Sequence, residues 1–142
     1  MCTPTDGNTL TTDDHIRIQQ LYARYAFAID LRDTESWLDC FTEDGELGRD
    51  GGDGGFAPGS VRRGRAELRE MAEGAARSGV SAYHWNSNLL VAPTQYGASG
   101  QCYVMLVRAP EGRGEMAIAG YMRDELVKTD GVWRFRRRCM HS

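Results

Sequence analysis

The sequence predicts an α+β domain, with N-terminal helices covering a curled antiparallel sheet and room for one small molecule between them. Three observations carry this. Apolar residues recur at helical spacing between Asp14 and Asp30, and from Ser81 onward the chain changes to long runs of strand character. Tight turns such as Asp130-Gly131 then join those runs as hairpins. Helices first and a meander afterwards is an α+β order, since a parallel α/β sheet requires the two to alternate.

Residues 1–10 carry Gly, Pro, Thr and Asp and read as a flexible tail, leaving 11–142 as a single domain. Thr11-Thr12-Asp13-Asp14 supplies a cap hydroxyl and first-turn acids, so the first helix starts here. Ile18, Leu21, Tyr22, Tyr25 and Ile29 give it one apolar stripe ending near Asp30. A short second helix is expected from Asp33 or Thr34, with Trp37, Leu38 and Phe41 on its buried side. Gly48 to Ser60 is rich in breakers and reads as a mobile surface loop whose Phe56 is a candidate lid. It lacks the Gly-Lys-Ser/Thr ending of a phosphate-binding loop, and no strand of buried type is evident before it. A third helix, Arg65 to Arg77, should turn Leu68, Met71 and Ala72 inward. Strands are expected at Ala82–Ala92, Gly100–Ala109, Met116–Thr129 and Val132–Arg138, with a turn at Glu111-Gly112-Arg113-Gly114.

Composition narrows the function. At 41% hydrophobic and 26% charged the chain has the balance of a globular domain, not of a disordered one. A net charge of -3 argues against a nucleic-acid partner. No apolar run is long enough for a membrane span and the polar start shows no secretory signal, so a cytoplasmic location is expected. Cys2, Cys40, Cys102 and Cys139 are scattered without a C-x-x-C pair, which favours buried thiols over disulfides or zinc. His15, His84 and His141 offer no H-x-x-x-H, H-E-x-x-H or facial-triad spacing, so neither metal nor cofactor is expected. Alternate residues of Arg136-Arg137-Arg138 face opposite ways, so the run reads as charges at a strand end or a dimer rim.

Two residues sit where burial rules do not place them easily. Asp30 follows Ile18, Tyr22 and Ala26 on one helix ridge, and it stands at a C-terminus, where the helix dipole opposes an anion. It either caps the turn or pairs with Arg32, or it serves a buried partner. His84 shares a strand face with Asn86 and Asn88, opposite Tyr83, Trp85 and Ser87. It is either a satisfied strand residue or part of a cavity wall with polar tips.

Several segments taken together resemble the SnoaL-like proteins of the nuclear transport factor 2-like superfamily. They are Tyr22 to Asp30, Trp37 with Phe41-Thr42-Glu43-Asp44, His84-x-x-x-Asn88, Gly120-Tyr121-x-x-Asp124 and Asp130 to Phe135. The resemblance covers about Asp14 to Arg138 and implies a cone-shaped α+β barrel, a pocket within the cone and a homodimer. Asp30 and His84 match the aspartate–histidine dyad of the branch with scytalone dehydratase and hexachlorocyclohexane dehydrochlorinase, and Asn88 matches the asparagine of the dehydrochlorinase pattern. The dehydratase's second histidine is missing near Gln101–Val107, and Arg49 stands in place of its first-strand tyrosine.

These residues suit a general acid or base, His84, whose far ring nitrogen is held by Asp30. The expected substrate is a small, apolar, oxygenated metabolite such as a polyketide intermediate, and the reaction a dehydration, isomerisation or cyclisation. Tyr25, Tyr103 and Tyr121 are candidate donors to a substrate oxygen, with Trp37 and Met105 as apolar wall and Asn88 beside the histidine. Each tyrosine equally suits a core aromatic role. The other reading is a non-catalytic binding, accessory or assembly domain on the same scaffold.

Overall fold

The helical stripe and the turn signals resolve, in a computed structural model describing residues 9–142, into three helices over one open six-stranded sheet. Helix α1 (Thr12–Asp30) begins at a capping box. The Asp14 amide donates to Thr11 Oγ1, and the Thr11 amide donates to Asp14 Oδ2, each at 3.0 Å. Asp14 is itself buried, and its other oxygen accepts from Lys128 Nζ at 2.9 Å and Trp133 Nε1 at 3.0 Å. The Lys128 ammonium, then the Thr11 and Trp133 N–H groups, hold its carboxyl well below the usual carboxylate range. One acid therefore starts the helix and ties it to the last two strands.

Helix α2 (Thr34–Leu38) is capped by Asp33, which accepts from Ser36 N. The chain then enters β1 (Phe41–Arg49), a strand that the residue pattern does not predict and only the resemblance implies. Phe41 is its first residue and does not belong to α2. A two-residue β2 (Arg62–Arg63) leads directly into α3 (Gly64–Arg77). Strands β3 (Ala82–Thr94), β4 (Gly97–Arg108), β5 (Glu115–Thr129) and β6 (Val132–His141) form the expected meander.

The sheet order is β2-β1-β6-β5-β4-β3. Only β1 against β6 is parallel, so the chain's first long strand is recruited by its last. Register shifts leave an extra residue in β3 between Ser87 and Leu90, in β5 at Ala117 opposite Leu106/Val107, and in β6 at Arg136 opposite Glu125/Leu126; such bulges bend strands and increase twist. The curved sheet stays unclosed: β2 and β3 are its edges.

The core lies between α1 and the concave face. Tyr25 packs edge-on or tilted against Trp37, Phe41 and Phe135, with centroids 5.6–5.8 Å apart, and Ile18, Leu21 and Leu68 complete the apolar filling. No helix among the described residues is long and apolar enough to cross a membrane. Most of the expected tail, residues 1–8, lies outside the described residues.

Candidate active site

The register fixes which residues meet. Leu106 and Val104 of β4 pair with His84 and Asn86 of β3, and with Ile118 and Gly120 of β5. All share the sheet face that α1 and α3 cover. All but Gly120 line a hollow of about 250 Å³, together with Tyr25, Ile29 and Met71 from the helices, Leu47 and Arg49 from β1, Met122 from β5, and Arg138 and Met140 from β6. Its wall is mostly aliphatic, with a few polar groups converging on it, which is the make-up of small-molecule sites.

Asp30 and His84 meet at the rim of this hollow. The last residue of α1 places its carboxylate against the start of β3. Oδ2 accepts the His84 backbone N–H at 2.9 Å, and Oδ1 lies 2.6 Å from His84 Nδ1. The Asp30 side chain is 8% exposed and that of His84 26%, so the pair is shielded without being sealed. An ionised carboxylate can only accept, so the proton belongs on Nδ1 and the lone pair of a neutral ring on Nε2. The edge of the Tyr25 ring faces the imidazole at 6.4 Å. Of the two, only His84 lines the hollow; together they line an outer groove of about 490 Å³ between α1 and the free edge of β3, reached past Phe27 and Trp85.

Beneath the pair runs a buried ionic network. Arg138, 1% exposed, donates through Nε and Nη2 to the two oxygens of Asp124 at 2.9 and 3.0 Å. The Tyr22 hydroxyl donates to Asp124 Oδ2 at 2.5 Å. Gly100 leaves room for that hydroxyl, because a Cβ there would lie 2.1 Å from it. The guanidinium lies 4.3 Å from the Tyr25 ring centroid and 4.2 Å from that of Phe135. Burial alone would lower the Arg138 pKa, but Asp124 more than reverses this and keeps it charged. Burial, and then the Asp124 charge, push Tyr22 far up, so its phenol stays neutral.

Residues 11–139 match the family model described as the SnoaL-like domain. The chain belongs to the SnoaL-like family. Among solved structures, the Mycobacterium tuberculosis protein Rv3472, of unknown function and solved as an aspartate-to-asparagine variant, is 34% identical; the match covers 92% of this chain and 77% of that one, with a TM-score of 0.81. A provisionally named scytalone dehydratase of Novosphingobium aromaticivorans is 22% identical, over 91% and 83% of the two chains, with a TM-score of 0.75. ActVI-ORFA of Streptomyces coelicolor is 21% identical, over 89% and 95%, also with a TM-score of 0.75. The latter two show the fold. No curated protein matches the sequence.

Within this SnoaL-like domain the other expected site residues part company. Tyr25 lines the hollow, though it is also a core aromatic. Trp37 does not: it is wholly buried between Tyr25 and Phe41, and from the short helix α2 it faces inward against the core. Tyr103, Met105 and Tyr121 lie on the opposite face of the sheet. Cys102 and Val104 face inward, so by strand alternation Tyr103 and Met105 face out, and Tyr121 follows Tyr103 across the register. Asn88 adopts φ 58° in the β3 bulge, where two residues oppose one; it is exposed and lines the outer groove, not the hollow. Phe56 packs at Gly48 on the convex face, with the Arg137 guanidinium 4.2 Å from its ring, and so does not cover the hollow.

Conversely, Asn86, Arg49, Met71 and Arg138 are wall residues not singled out as site residues from the sequence. Alternation from His84 reaches Asn86 directly. Arg138 was hidden in a basic run that reads as solvated. Cys40, Cys102 and Cys139 are buried and unpaired, as the cysteine spacing implies, and burial raises the Cys40 and Cys102 thiols to about 11. Such thiols are poor nucleophiles at neutral pH.

Proposed function

We propose that this SnoaL-like domain is an acid–base enzyme that needs no cofactor: a dehydratase, isomerase or cyclase acting on a small, apolar, oxygenated metabolite such as a polyketide intermediate. The observation that carries the proposal is the 2.6 Å contact of Asp30 with His84 Nδ1 at the rim of an apolar hollow. With Nδ1 committed to Asp30, Nε2 takes a proton from carbon next to a substrate carbonyl, and Asp30 stabilises the imidazolium that forms. Returning that proton to a departing hydroxyl gives elimination; returning it to another carbon moves a double bond. Electron density builds on the carbonyl oxygen meanwhile. Asn86 and the Arg138 N–H groups not engaged by Asp124 are the donors lining the hollow that would meet it, with Arg49 adding positive charge. Aliphatic walls exclude water from the intermediate.

Association of two copies through the convex face completes the proposal. Tyr83, Trp85 and Tyr103 are 46%, 62% and 60% exposed on neighbouring strands there, more aromatic surface than a solitary sheet face needs.

The test uses small aromatic β-hydroxy ketones in deuterated buffer, with water loss or deuterium uptake beside the carbonyl followed by NMR. Wild-type protein should turn over a member of this panel. His84→Ala and Asp30→Asn should each lose on the order of 10²–10⁴-fold while keeping the wild-type circular dichroism. Folded variants that match the wild type would refute the dyad.

A further inference from the structure

Strand β6 sends Arg138 and Met140 into the hollow, so Cys139 and His141 share the convex face behind it. Asp50 arrives beside them at the end of β1. Its amide donates to the Met140 carbonyl at 2.8 Å, and its carboxylate Oδ2 lies 3.3 Å from His141 Nδ1. One donor atom from each of Asp50, Cys139 and His141 lies within 4.8 Å of the other two. Cys139 is 2% exposed, while the His141 and Asp50 side chains are 15% and 29% exposed, so the cluster has one buried and one open side. The Tyr121 ring stacks on His141 at 4.9 Å and 9°, fixing the plane of the imidazole.

We propose that Asp50, Cys139 and His141 form a three-ligand site for a divalent transition-metal ion of the zinc type, on the sheet face opposite the dyad. Thiolate, imidazole and carboxylate are together the donor set that suits zinc and excludes magnesium or calcium. Bonds of about 2.0–2.3 Å in a tetrahedron separate donor atoms by roughly 3.3–3.8 Å. The Asp50–His141 distance already fits, and the remaining closure is on the order of an ångström. The Asp50 backbone is held by Met140, so the half-open Asp50 side chain makes that closure by rotating about its own bonds. Two guanidiniums are near Cys139 and both are engaged elsewhere. Arg137 donates to the Gly54 carbonyl and lies against Phe56, and Arg123 lies over the Tyr121 ring. Three protein ligands leave the fourth position to water from the open side.

Such an ion ties the start of the Gly-rich loop to the final strand. That explains why an acid, a thiol and an imidazole converge under a loop whose Phe56 packs against Gly48 and Arg137. Sequence spacing hid the site, because Asp50 reaches the other two only through the parallel β1–β6 pairing. Binding displaces the thiol proton, so affinity should fall as the pH is lowered. The site does not depend on the dyad, and either proposal can fail alone.

The full chain, stripped with a chelator and titrated with Co²⁺ as a spectroscopic stand-in, gives the test. One equivalent should bind with tetrahedral ligand-field bands and a thiolate-to-cobalt charge-transfer band, and Zn²⁺ should displace it. Cys139→Ser should abolish the charge-transfer band. His141→Ala, at the end of the last strand, should weaken binding by at least about tenfold, and Cys2→Ser should change neither. Absence of the charge-transfer band in the wild type, or its survival in Cys139→Ser, would overturn the proposal, as would an affinity unmoved by His141→Ala.

Discussion

Asp30 and Arg138 are the two charges that the apolar periodicity of the chain does not prepare for, and each is answered by one specific partner. Asp30 could be suspected from the sequence because an acid on the ridge of Ile18, Tyr22 and Ala26, at a helix C-terminus, needs a donor; His84 gives it two. Arg138 could not. It is the third of three arginines, and only the register shift at Glu125/Leu126 decides that it, and not Arg137, turns inward beside Asp124. Their side chains are 2% and 0% exposed, so removing one partner strands the other charge in the core. Asp124→Ala should lower stability by about 3–5 kcal/mol in urea unfolding. Arg138→Met combined with Asp124→Leu should cost less than the sum of the single changes. Additive losses would mean that the two side chains do not act as a pair.

At the scale of elements, α1, α3 and the four meander strands were legible because their patterns are local. Strand β1 was not. Thr42-Glu43-Asp44-Gly45-Glu46 has no β-branched run beyond Thr42, and the strand exists because β6, some ninety residues later, pairs with it in parallel. Register decided the site for the same reason. Tyr103 and Tyr121, chosen by residue type, fell on the opposite face once Cys102 fixed the inward set, and the bulge at Ser87/Leu90 carried Asn88 away from the His84 face. The start of α1 carries its own prediction. In the unfolded chain Asp14 takes up its proton near pH 3.8, whereas the folded value lies lower. Its stabilisation is therefore complete above that pH and is lost as the pH falls below it toward the folded value. Asp14→Ala should lower the melting temperature at pH 7 and flatten the loss of stability between pH 4 and the acid limit, read by calorimetry. An unchanged acid limb would mean that other carboxylates govern it.

For the whole molecule, the curved sheet separates two environments. The concave side holds the hollow, the dyad and the Arg138 network; the convex side holds Tyr83, Trp85 and Tyr103, and farther along it the Asp50, Cys139 and His141 cluster. Tyr103 and Met105 thus lie on the face away from the hollow. The resemblance carried the architecture well, because an ordered set of weak segments reflects the fold as a whole. It brought expected residues into contact only where a position is fixed by a local element end, as where Asp30 meets His84. If two copies meet through the aromatic face, sedimentation equilibrium at micromolar concentration should give twice the chain mass, and Trp85→Lys should shift it to the monomer. A monomeric wild type would remove the dimer and leave the hollow intact.

The claim beneath the catalytic reading is that Asp30 holds the proton of His84 on Nδ1 and leaves Nε2 as the base. Nitrogen-detected NMR of the histidine rings reports this tautomer directly. At a pH where the ring is neutral, His84 should show an Nδ1–H imidazole in the wild type and lose that preference in Asp30→Asn. A wild-type ring protonated on Nε2, or one indifferent to Asp30→Asn, would contradict the account.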